Sequence, residues 1–80
     1  MAVFIFSPQL GAVLRVVDTD SAADMAKAVG RLAASGLPRL INIGMESAIV
    51  VNFSRCAAVR FTIEPPRTEL PVVSVHSSSL

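Results

Sequence analysis

Eighty residues make one domain at most, and folding a chain of this size removes only about 60% of its surface from water. Apolar residues are 52% of the chain and charged residues 16%, more apolar surface than one small core uses, so a contact with a partner is expected. A net charge of +1 excludes a global field that would draw the chain to nucleic acid or an anionic membrane, and one cysteine with one histidine excludes an internal disulfide or a Cys/His metal site.

The start, MAVFIFSPQ, has no cationic region and only five apolar residues before Ser7 and Pro8, too few for a signal peptide. No run approaches the roughly 18 residues of a membrane helix, so no membrane contact is expected. Residues 2 to 6, AVFIF, are β-branched and aromatic and suit a strand, and SPQLG supplies Pro8 and Gly11 for a turn. AVLRVVD, residues 12 to 18, reads as the return strand, with Val13, Arg15 and Val17 on one face and Ala12, Leu14 and Val16 on the other.

The next segment, through Gly36, is the clearest element. Ala22, Met25, Ala26, Val29, Leu32 and Ala33 recur at helical spacing and form one apolar stripe. Asp18, Thr19, Asp20 and Ser21 offer N-caps, Gly36 and Pro38 a stop, and Asp24, Lys27 and Arg31 a solvated face. Gly30 weakens the helix interior, and its small size suggests a close strand.

RLINI at 39 to 43 and AIVVNF at 48 to 53 read as a hairpin turned at GMES. The link SRCAA is too short for a crossover helix, so AVRFTIE is expected as a fifth, antiparallel strand with Val59, Phe61 and Ile63 inward. From Pro65 onward the chain turns to proline and serine, which predicts a flexible tail over 65–80; LPVVSV, 70 to 75, is the one part expected to add to a sheet edge, its own or a neighbour's. The fold class predicted is α+β: a domain over 1–64 with an antiparallel sheet of about five strands in the order β-β-α-β-β-β, the helix on one face, and a C-terminal arm.

Few residues suggest chemistry. Cys56 lacks a nearby base in sequence, and a lone cysteine is more often a buried filler than a nucleophile. Asp18, Asp20 and Asp24 stand where a helix start wants negative charge. The four glycines form neither a phosphate loop nor a dinucleotide fingerprint, so no enzyme activity and no cofactor is expected. A nucleic-acid reading would use Arg15, Arg39, Arg55 and Arg60 with the phenylalanines as stacking partners, and it needs several copies to align those cations.

Assembly uses more of the sequence. The first and fourth strands carry apolar residues on both faces, and one helix covers only one of them. The second face is therefore expected to meet another copy, or another protein, through Phe4, Phe6, Val13, Val17 and Val50, with Val72 and Val73 of the arm adding contacts. The expectation is a small self-associating module of a prokaryote or its phage, acting in the cytoplasm or within a phage particle; six of its seven cations are arginine, in keeping with GC-rich coding.

Overall fold

Val3–Phe6 (β1) and Val13–Val16 (β2) pair antiparallel, Val3 opposite Val16 and Ile5 opposite Leu14, in the computed structural model, which describes residues 2–80. Alternation sends Val3, Ile5, Leu14 and Val16 to one side, where all four are buried. The helix Ala22–Ser35 (α1) lies on that side and buries Met25 and Val29. Ser21 caps it, its hydroxyl accepting the Asp24 N–H at 3.2 Å, and Gly36 ends it at φ 71°, where a side chain would be strained.

Arg39–Ile43 (β3) and Ser47–Val51 (β4) form the second hairpin, turned through Gly44 at φ 73°. Their inner residues Ile41 and Val51, with Phe53 of the 3-10 turn that follows, complete the core against α1 and the first sheet. The fifth strand, Arg60–Thr62 (β5), pairs antiparallel with β1, and Val72–Val75 (β6) pairs parallel with β2. The α+β class is the one the residue pattern predicts; the architecture is a mixed four-stranded sheet, β5-β1-β2-β6, beside the separate β3–β4 pair.

Several finer expectations are corrected. The sheet is neither single nor wholly antiparallel, because β5 and β6 occupy both edges of the β1–β2 hairpin and leave β3–β4 to pack through its side chains. Within the expected flexible arm, the segment 70–75 that was expected to add to a sheet edge does so on the chain's own β2 as β6, and the order goes further than expected: Val73 packs on the core, Val75 is buried within it, and Leu80 packs beside them. Ala26 of the helical stripe is exposed, and Ile63 lies beyond the end of β5 and is also exposed.

Gly30 approaches no strand; a Cβ there meets no atom within 4 Å. Gly30→Ala is therefore expected to stabilise the fold by about 0.5–1 kcal/mol through helix propensity alone. On a domain of this size that raises the thermal midpoint by roughly 2–8 °C, which a circular-dichroism melt reads directly.

The link between β5 and β6 sets the second face. β5, β2 and β6 run the same way, so residues 63–71 must return across the sheet from one edge to the other, a width of about 14 Å. Nine residues reach that far easily. The helix side is filled by α1 and the β3–β4 hairpin, which leaves the other side for the link; at its end the Pro71 carbonyl accepts the Val13 N–H at 2.8 Å and extends the β2–β6 ladder. Phe4 and Val13, which point away from the helix, are only 8% and 0% exposed. Part of the apolar second face is thus covered by the chain itself.

Candidate functional site

Among the described residues, four of the six exposed large hydrophobic side chains, Leu37, Leu40, Met45 and Val50, lie on or beside the β3–β4 hairpin. Its register places Arg39, Ile41, Ile43, Ser47, Ile49 and Val51 on the inner side and Leu40, Asn42, Ala48 and Val50 on the outer. Leu40 and Val50 stand directly opposite one another and are 61% and 65% exposed. Leu37 before the hairpin and Met45 at its tip are also exposed. No charged side chain lies on the outer face of either strand; Glu46 sits in the turn.

The residues expected to form one interface are therefore divided. Phe4, Phe6, Val13, Val17 and Val72 do share the second face of the four-stranded sheet, but Phe4 and Val13 are interior to the fold, Phe6 and Val17 are half-buried, and only Val72 is open. Val73 faces the core. Val50 lies on the other hairpin, with Leu40 as its partner. Leu37, Leu40 and Met45 went unread in the sequence, although pairing β3 with β4 around Gly44 would have placed Leu40 against Val50.

The four arginines are likewise dispersed. Arg15 and Arg60 are exposed on the second face of the four-stranded sheet, flanking β1 opposite Phe4 and Phe6. Arg39 is on the inner side of β3, its Nε donating to the Ser79 carbonyl at 2.8 Å, and Arg55 ends the 3-10 turn after β4. No single patch joins them.

Cys56 is half-buried, its thiol 4.0 Å from the Asn52 carbonyl. His76 lies 3.8 Å from the Asp18 carboxylate. No cluster of three His, Cys, Asp or Glu suited to a metal occurs among the described residues. Asp18 does not cap α1, since Ser21 does so. It accepts the Ser77 N–H at 2.8 Å and the Ser77 hydroxyl at 3.1 Å, tying the last 3-10 turn to the end of β2. The backbone hydrogen bond from Ser77 holds the Asp18 carboxyl below its ordinary value of 3.8. A carboxylate depressed by folding contributes its stability above the unfolded value and loses it as pH falls through the folded one. Asp18→Ala is thus expected to speed amide exchange at Ser77 at pH 7, while wild type and variant exchange alike once the pH has fallen through the lowered value of the folded carboxyl. Equal protection at both pH values would exclude the clasp.

The fold and this surface define a small α+β protein with an uncharged, apolar hairpin face. No helix among the described residues is long and apolar enough to cross a membrane. Comparison of the chain with protein-family models, with curated proteins and with solved structures gave no match.

Proposed function

We propose that this protein is a non-enzymatic, self-associating interaction module whose contact surface is the outer face of the β3–β4 hairpin. The observation that carries the reading is the exposed Leu40–Val50 pair, near the open end of a charge-free two-stranded face. Leu37 before β3 and Met45 in the turn are also exposed and extend the apolar surface toward both ends of the hairpin.

A second copy is favoured over an unrelated partner because the strands' outer face carries no charge, so placing it against itself brings no like charges together. The nucleic-acid alternative draws on only two of its four arginines, Arg15 and Arg60. The compartment proposed for the module is the cytoplasm of a prokaryote or a phage particle, on its arginine-rich cations.

Sedimentation at low and high salt tests the reading. An oligomer that persists in about 1 M salt, where surface charge pairs are screened within roughly 3 Å, supports an apolar contact. A monomer at every concentration rejects it.

A further inference from the structure

A different surface has the chemistry of a ligand site. Where the link 63–71 leaves β5 it encloses an open groove of about 520 Å³ with Phe6, Arg60, Glu64, Pro65, Pro66 and Arg67 among its walls. That volume lies within the range of small-molecule sites, roughly 300–1,000 Å³. Arg60 enters from the strand and Arg67 from the link. Both are exposed, and among the described residues neither has a carboxylate within 4.0 Å, Glu64 included. The Thr62 hydroxyl donates to the Glu64 carbonyl at 2.7 Å, which fixes the bend where the wall begins. Phe6, half-buried, offers a ring on the same side of the sheet as the Arg60 guanidinium.

We propose that this groove binds a small aromatic phosphate of the nucleoside monophosphate class. The guanidinium fork matches the oxygens of a phosphate, and two such groups lining one groove suit a dianion better than a single carboxylate. The lone Glu64 leaves the groove with a net positive charge. Phe6 and the Pro65–Pro66 pair form the apolar sides between which a flat base is held, with cation–π support from Arg60. The site belongs to β1, β5 and the link, away from the hairpin face, and so stands independently of self-association.

Calorimetric titration with adenosine 5′-monophosphate at low salt tests the assignment, with adenosine and inorganic phosphate as separate probes. Saturable binding at or below about 1 mM is expected, with each fragment at least about tenfold weaker. Arg60→Gln with Arg67→Gln should weaken the nucleotide by at least about tenfold and leave the thermal midpoint unchanged, since both side chains are exposed. Phosphate binding as tightly as the nucleotide would remove the base from the site. No saturation by any probe, or binding indifferent to the double substitution, would overturn the proposal.

Discussion

Removing residues 72–80 is expected to abolish cooperative folding. The segment supplies β6, which covers one edge of β2 with four parallel register pairs, from Val13–Val72 to Val16–Val75. It buries Val75 to 2% exposure, packs Val73 and Leu80 on the core, and brings Ser77 to Asp18 and the Ser79 carbonyl to Arg39. Each buried aliphatic side chain is worth about 1.5–3 kcal/mol, so three of them approach about 5 kcal/mol before the ladder is counted. A domain of this length has roughly 4–12 kcal/mol in all. The loss therefore consumes most or all of the stability. A thermal melt of the truncated chain should show no cooperative transition, whereas a dispensable arm would leave the midpoint where it was. Val75→Ala, which removes two methyl groups without removing the strand, should retain the fold and cost about 2 kcal/mol in a urea titration. A negligible cost there would place Val75 outside the core.

Val50→Asp should dissociate the assembly and leave the subunit folded. Val50 is 65% exposed in the single chain, so a carboxylate there is solvated and costs the fold little. In a face-to-face contact between two hairpins the same carboxylate is stripped of water beside apolar neighbours and, by symmetry, its counterpart is close at hand. An unpaired buried charge costs several kcal/mol, and each 1.4 kcal/mol is tenfold in affinity, so a weakening of at least about a hundredfold is expected. Val50→Thr, nearly isosteric, should weaken the contact far less, because a hydroxyl can find a hydrogen bond where a carboxylate cannot lose its charge cheaply. Equal loss from both variants would argue against burial at this position.

The parts of the fold that were legible in the sequence are those whose pairing is local. The β1–β2 and β3–β4 hairpins and α1 each follow from a short apolar period closed by Gly11, Gly44 or Gly36. The parts that were not legible depend on contacts between distant positions. Pro65, Pro66 and the closing serines look like a tail, and LPVVSV between them reads as an edge strand, but its choice of β2 and its parallel sense, with Val73 and Val75 inward, are encoded by no local pattern. The apolar second face of β1 and β2 called for a cover, and the sequence could not distinguish a partner from the chain's own link over Phe4 and Val13. On the exposed hairpin face, Val50 was singled out from the sequence and Leu40 was not, because its exposure follows from the hairpin's standing apart from the main sheet. Arg15 and Arg60 share one sheet face, on either side of β1, and Arg39 and Arg55 do not join them, since the last two lie on the second hairpin and its trailing turn.

The most direct measurement is the solution mass of wild type, Val50→Asp and Val72→Asp by light scattering at one protein concentration. Val72 is the open residue of the four-stranded sheet's second face, and Val50 that of the hairpin's outer face. If the hairpin is the contact, wild type and Val72→Asp share an oligomeric mass and Val50→Asp alone falls to the monomer. A monomeric wild type, or an assembly that survives Val50→Asp and is lost with Val72→Asp, would contradict it.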